Sequence, residues 1–283
     1  MYVRTNAVLV AEDDAEAQAA EAFDLARTLC TSCRPYHSVW PYLRLTGRKR
    51  GVDADGALLV PLLARIIEDG ARRVFLAGSA DPGILSMVLA AAGSHALSTT
   101  IVDICATPLA MCRTFAARRG IAVRTLAGCL SQPRFAGEHD LVLAHSVLSF
   151  IDPAILSKVV ANLAHTLVPG GWLVLTTGLS SPRTHPAAFC DDVLAKLSAR
   201  GIGLPTTEGE FRALVAGYAD SRRGRHSHFA TLESLTQFLE THHFAVDRII
   251  PQARGTSVRG DGKVIERSNP GVVVVARRSD AAR

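Results

Sequence analysis

From Arg73 onward, apolar and polar positions fall into two alternating rhythms. VFLA (74–77) is an apolar run of strand length, and an apolar segment of helical length follows over about 83–92. TTIVDIC (99–105) is a β-branched strand; a helix opens at Pro108 and closes at RRG (118–120). IAVRTL (121–126) and HDLVLAH (139–145) read as the third and fourth strands. A helix over about 153–167 leads through a PGG turn (169–171) into a fifth strand, WLVLTT (172–177). Short apolar runs alternating with helices predict a parallel sheet covered on both faces. AVDRII (245–250) and VVVVAR (272–277) close the pattern, separated by about twenty largely polar residues with no helical period. A connection without a crossover helix predicts antiparallel pairing. The expected fold is therefore α/β, with a seven-stranded mixed sheet: six strands parallel and the last antiparallel.

Two stretches stand outside this rhythm. Residues 13–31 have helical spacing and lead into CRPYHSVWPYLRLTGRKRG, dense in aromatic and basic residues, before a helix near 56–69. Residues 178–229 hold several glycines and prolines, a helix near 187–200 and the basic cluster RRGRHSH; a helix near 231–242 then restores order. This predicts an N-terminal helical lid over residues 1–54 and a main domain over 55–283 with an insertion at about 178–229. The longest apolar run, GALLVPLLARII, is too short to span a membrane and is broken by Pro61.

Composition narrows the options. The chain has 283 residues, 48% hydrophobic, enough for a full core. A net charge of +5 spread along the chain does not require a nucleic-acid partner, and no membrane partner is expected. Six cysteines without a visible targeting segment suit a reduced, cytoplasmic protein. Cys30 and Cys33 form CTSC, but no second pair at like spacing follows, so helix-face packing is expected of them and no metal site.

Candidate chemistry gathers where strands end. The first strand is followed by AGSADPG, in which Gly78, Ser79 and Ala80 allow a ligand to approach the backbone. The second ends on Asp103, placed either to accept ribose hydroxyls or to cap the next helix. Cys129 and Leu130 follow the third strand; Ala144, His145 and Ser146 lie at the end of the fourth.

The glycine turn, IVDIC, HDLVLAHSVLSFI and LVPGGWLVLTT together resemble the class I S-adenosylmethionine-dependent methyltransferases over roughly residues 55–278. In that family an aspartate opens strand four (here Asp140), a V-L pair follows (Val147, Leu148), and a P-G-G turn precedes strand five (Pro169, Gly170, Gly171). The resemblance implies a Rossmann-like fold whose seventh strand inserts antiparallel between five and six, S-adenosyl-L-methionine as cofactor, and a nucleoside ligand that needs fewer glycines than a pyrophosphate. It implies cofactor-binding roles for Gly78, Ser79, Ala80, Asp81, Asp103, Ile104, Cys129, Leu130 and Ala144. The chain departs from the family at Leu76, where an acid is common, at Ala80 and Pro82 in the turn, and at Cys129 in place of an aspartate. Asp81 is the substitute expected to hold the cofactor's amino group.

Methyl transfer requires alignment above all, and a base only when the acceptor is protonated. His145 and His37 are the base candidates. Tyr36, Trp40 and Arg225 are the candidates for binding substrate, with Arg222, Arg223, His226 and His228 beside the last. The chain lacks the N-P-P-Y and Pro-Cys motifs of nucleic-acid methylases. The expected activity is methylation of a small-molecule acceptor. The alternatives are a catalytically degenerate S-adenosylmethionine-binding protein, an RNA methyltransferase and an NAD(P)-dependent oxidoreductase.

Overall fold

The computed structural model describes residues 12–47, 55–179, 189–223, 228–252, 257–258, 264–265 and 271–279. In chain order the elements are α1 (Glu12–Leu29), α2 (Arg34–Leu45), α3 (Gly56–Glu68), β1 (Arg73–Ala77), α4 (Gly83–Ala92), β2 (Ser98–Asp103), α5 (Ala106–Ala117), β3 (Val123–Ala127) and β4 (His139–His145). There follow α6 (Pro153–Thr166), β5 (Leu167–Gly178), α7 (Phe189–Ala199), α8 (Glu208–Arg223), α9 (Leu232–Thr241), β6 (Phe244–Gln252), β7 (Ser257–Val258), β8 (Val264–Ile265) and β9 (Gly271–Arg278). Seven strands form one sheet in the order β3-β2-β1-β4-β5-β9-β6, and β7 pairs with β8. Six strands of the large sheet are parallel, while β9 runs antiparallel to both β5 and β6, as the missing crossover helix predicts. This is the Rossmann-like arrangement that the sequence resemblance implied, with the last strand inserted antiparallel between β5 and β6.

The chain divides into two compact units, the first drawn from residues 1–72, 79–129 and 183–224, the second from 73–78, 130–182 and 225–283. In the second unit, burial follows strand position. Leu141 to Ala144 of β4 and the first six residues of β9 are buried without alternation, because both faces of these strands are covered. At the sheet edge, β6 is mostly half-buried or exposed, tolerates Pro251, and slips register between Val246 and Arg248. The PGG sequence lies inside β5, not before it: His139 pairs with Leu167, and Leu141 next pairs with Trp172, so the strand bulges around Pro169–Gly171. Asp140, which opens β4 in the family pattern, accepts the Arg73 backbone N–H at 2.8 Å and the Arg73 guanidinium at 2.5 Å, tying the start of β1 to β4. Asp152 caps α6, accepting from Ala154 N–H, with Pro153 in the first turn.

In the first unit, α1, α2, α7 and α8 build a core of their own from Phe23, Val39, Leu43, Val193, Phe211 and Tyr218, among others. Helix α8 carries Phe211, Leu214, Val215 and Tyr218 at i, i+3, i+4 and i+7, all buried. It approaches α2 closely at Gly217, where a Cβ would stand 3.0 Å from the Pro35 ring. Both α2 and α3 continue through an internal proline, Pro41 and Pro61. Helix α3 is the one expected near 56–69, continuing through Pro61, and CRPYHSVWPYLR is mostly helical. No helix among the described residues is long and apolar enough to cross a membrane.

Candidate functional site

The turn after β1 is built from side chains that replace missing glycines. Gly78 alone takes a left-handed backbone, φ +76°. In the first unit, the Ser79 N–H donates to Asp103 Oδ2 at 2.8 Å, and the Ser79 hydroxyl donates to the Asp81 carbonyl at 2.7 Å. Asp81 Oδ1 accepts the Gly83 N–H at 2.7 Å, at the start of α4. Two carboxylates and a hydroxyl therefore satisfy backbone groups that a glycine-rich loop would leave for its ligand.

The two aspartates differ in what else they meet. Asp81 is buried, and its Oδ2 accepts from Arg44 Nη1 at 2.6 Å and Trp40 Nε1 at 3.2 Å. Helix α2 is thereby fastened to the turn, and the Asp81 charge is neutralised by Arg44. Asp103 accepts backbone N–H groups, from Ser79 and, at 2.7 Å, from Cys105. Burial pushes its carboxyl up from the ordinary value, and those two hydrogen bonds pull against the rise. The N-cap of α5 is Cys105, so Asp103 is not the cap residue that the sequence left open. Beside it, Ile104 is 77% exposed, an isolated large apolar side chain next to an acid at the end of a parallel strand.

The remaining candidates are placed as follows. In the first unit Ala80 and Cys129 are half-buried. Tyr36 lies between two rings, stacked on Trp40 at 5.7 Å and on Tyr218 at 5.8 Å. This aromatic stack joins α2 to α8, an arrangement the sequence did not indicate. In the second unit Leu130 is half-buried, and its carbonyl accepts from Asn162 at 3.1 Å. Ala144 is fully buried and His145 is half-buried at the end of β4. Ser146 follows with φ +55°, a strained value for a residue with a side chain, held by its N–H donating to Thr176 Oγ1 at 2.9 Å. His228 Nε2 lies 2.9 Å from the Leu148 carbonyl. Arg225 and His226 lie outside the described residues. A cleft of about 460 Å³ between α7 and α8, lined by Leu194, Ile202, Glu208 and Arg212 among others, includes none of the candidates.

The CTSC pair corrects an expectation. Cys30 and Cys33 do not pack on a helix face; they flank the turn between α1 and α2. Cys30 Sγ lies 3.4 Å from His37 Nδ1, 3.5 Å from Cys105 Sγ and 3.1 Å from Thr107 Oγ1. The ligand atoms of Cys30, Cys33, His37 and Cys105 all lie within 4.8 Å of one another, a group able to hold a metal ion. Burial alone would lower the His37 imidazole, but hydrogen bonds with the Cys105 and Cys30 sulfurs outweigh it and hold it up at about 9. Hydrogen bonds from Cys30 and Cys33 pull the Cys105 thiol down, while its bond to Cys105 pushes Cys33 up. His37 is buried among these sulfurs. The sequence offered a signal, three soft ligands within Cys30–His37, but the fourth comes from the start of α5.

Residues 79–171 match a family model described as a methyltransferase domain. No curated protein matches the chain. Among solved structures, the chain is similar to the 1,6-didemethyltoxoflavin-N1-methyltransferase of Burkholderia thailandensis, crystallised with S-adenosylhomocysteine. Identity is 16%, 86% of this chain and 87% of that one are covered, and the TM-score is 0.51. A SAM-dependent methyltransferase of Methanosarcina mazei is 19% identical over 76% of this chain and 98% of that one, with a TM-score of 0.49. The N-methyltransferase NodS of Bradyrhizobium japonicum, in complex with S-adenosylhomocysteine, is 15% identical over 92% of this chain and 100% of that one, also at 0.49. At these identities the likeness is one of fold.

Proposed function

We propose that this chain, a class I methyltransferase that uses S-adenosylmethionine, transfers the methyl group to a small-molecule acceptor. When bound, S-adenosylmethionine supplies an electrophilic methyl group on a positively charged sulfur. Asp103 has acceptor capacity beyond its bonds from Ser79 and Cys105, because an ionised carboxylate offers about four lone-pair sites. That capacity is what two ribose hydroxyls would use. Ile104 offers the exposed apolar surface that a nucleoside base would cover. Gly78, Ser79 and Ala80 give close approach along the turn; Leu130, Ala144 and Cys129 follow by their positions at strand ends. Asp81 accepts from Arg44, Trp40 and Gly83, which leaves about one of its lone-pair sites, on Oδ1, for the amino group expected there. His145, at the end of β4, remains the candidate base for an acceptor that carries a proton.

The observation that carries the small-acceptor reading is the attachment of α2 to the cofactor turn. Trp40 and Arg44 hold an aromatic helix to Asp81. Aromatic walls of this kind suit a compact acceptor screened from water. The Burkholderia enzyme named above was crystallised with 1,6-didemethyltoxoflavin bound, which agrees with the reading.

Mass spectrometry of the purified chain should reveal retained S-adenosylmethionine or S-adenosylhomocysteine. Incubation with methyl-labelled cofactor should then transfer label to a fraction of small metabolites and not to RNA. Label in RNA would replace the small-acceptor reading. Retained cofactor with no transfer to either fraction would favour a binding protein without catalysis.

A further inference from the structure

We propose that Cys30, Cys33, His37 and Cys105 bind a single structural zinc ion, which clamps the α1–α2 turn to the start of α5. The first argument is the donor set. Three thiol sulfurs and one imidazole nitrogen are soft and borderline ligands, the combination of closed tetrahedral zinc sites. Four protein ligands leave no open position, so the site is structural and not a generator of nucleophilic water.

The second argument is distance. A tetrahedron with Zn–S of about 2.3 Å and Zn–N of about 2.0 Å has S···S edges of about 3.8 Å and S···N edges of about 3.5 Å. Cys30 Sγ stands 3.5 Å from Cys105 Sγ and 3.4 Å from His37 Nδ1. No pair among the four ligand atoms exceeds 4.8 Å, so a small common movement completes the tetrahedron. The same sulfur–sulfur distance is far beyond the roughly 2.05 Å of a disulfide, and none of the six cysteines forms one.

The third argument is how the chain delivers the ligands. Cys30 follows the last residue of α1, Cys33 occupies the N-cap position of α2 without capping it by its side chain, and His37 lies one turn into that helix. Local chain geometry thus presents three ligands to one point. Cys105 comes from 68 residues beyond His37 in sequence and occupies the N-cap position of α5, again with no side-chain cap. A cysteine at both helix starts, where Ser, Thr, Asp or Asn would cap, is poor capping chemistry but good ligand placement. Thr107 Oγ1, 3.1 Å from Cys30 Sγ, supplies an outer hydrogen bond to a ligating sulfur.

The ion would act on the cofactor site through position. Cys105 donates its backbone N–H to Asp103, so a metal holding Cys105 also fixes one of the two groups that orient that carboxylate. His37 then serves as a ligand, and the role of base considered for it passes to His145. The metal assignment itself does not depend on methyl transfer.

The test uses the full chain expressed in zinc-supplemented medium and purified under reducing conditions without chelator. Inductively coupled plasma mass spectrometry should find about one zinc per chain. Cys33→Ser should lose at least about tenfold in zinc content, while Cys190→Ser retains it. If Cys33→Ser does not fold, cobalt(II) added to the zinc-stripped wild-type chain decides. Thiolate-to-cobalt charge transfer with intense tetrahedral d–d bands supports the site; the weak spectrum of hydrated cobalt overturns it. A wild-type chain that carries no zinc and binds none on titration overturns the proposal. So does a Cys30–Cys105 disulfide found by peptide mapping in the reduced preparation.

Discussion

The strands β4, β5 and β9 and the helical core of α1, α2, α7 and α8 are held by different kinds of interaction. In the strand region nearly every contact follows from apolar periodicity and register: Leu141 meets Trp172, Val174 meets Val275, and Leu141–Ala144, Leu173–Thr177 and Gly271–Ala276 are buried without alternation. In the helical region an apolar core is supplemented by single polar, aromatic or sulfur pairs between residues far apart in sequence. Asp81 meets Arg44 and Trp40, Tyr36 stacks on Tyr218, and Cys105 meets Cys30. Apolar burial is distributed and forgiving of any one change, whereas a buried polar pair fails when one partner is removed. The helical region should therefore be more brittle to single substitutions, and the cofactor turn, tied to it through Asp81, should share that brittleness.

The largest effect is expected at that tie. Asp81→Ala removes the carboxylate that pairs with a three-quarters-buried Arg44 and accepts the Trp40 and Gly83 N–H groups. Stability measured by urea unfolding should fall by about 3 kcal/mol, the low end for breaking a buried pair because Arg44 keeps some contact with water. A loss below about 1 kcal/mol would erase the distinction between the two regions.

A smaller effect, read on cofactor binding, is expected at Asp103. Asp103→Asn keeps the shape but removes charge-assisted acceptance from ribose hydroxyls, worth roughly 1.5–3 kcal/mol for a hydrogen bond to a charged group. Calorimetry should show S-adenosylhomocysteine affinity reduced by at least about tenfold. An unchanged affinity would remove Asp103 from the site and leave it, like Asp81, a residue that organises the turn.

The smallest effect sharpens the other side of the comparison. His139 in β4 is a polar exception in the strand region, buried with its ring edge against Phe75 and Phe135 at 5.3 and 5.0 Å. Burial lowers its folded value below the ordinary 6.5, and Arg73 adds to the effect. Below pH 6.5 the unfolded chain takes up a proton that the folded one resists, so stability is lost as pH falls from 6.5 through the folded value. Stability measured by urea unfolding should drop over that window, and His139→Leu should flatten the slope there. An unaltered slope would mean that His139 is solvated when protonated.

The sequence by itself determined the strand order's ingredients and the direction of the last strand. Apolar runs of strand length, separated by helical segments, admit few arrangements, and the polar connection before β9 contains no crossover helix. The same text carried the position of Asp103, because a strand end is a local feature. It also carried α8 through Phe211, Leu214, Val215 and Tyr218, a period that the glycines and prolines around it obscured. What only the tertiary structure decided were the partners of individual polar groups. Nothing local distinguishes Asp81, neutralised by Arg44 from α2, from Asp103, which meets backbone N–H groups. Nor does CTSC announce that its missing ligands are His37, one helical turn on, and Cys105, at the start of another helix. Periodicity is a property of neighbouring residues and survives in the linear text. The pairing of single side chains depends on which segments the folded backbone brings within about 3–4 Å, a distance at which hydrogen bonds and metal–ligand geometry first operate.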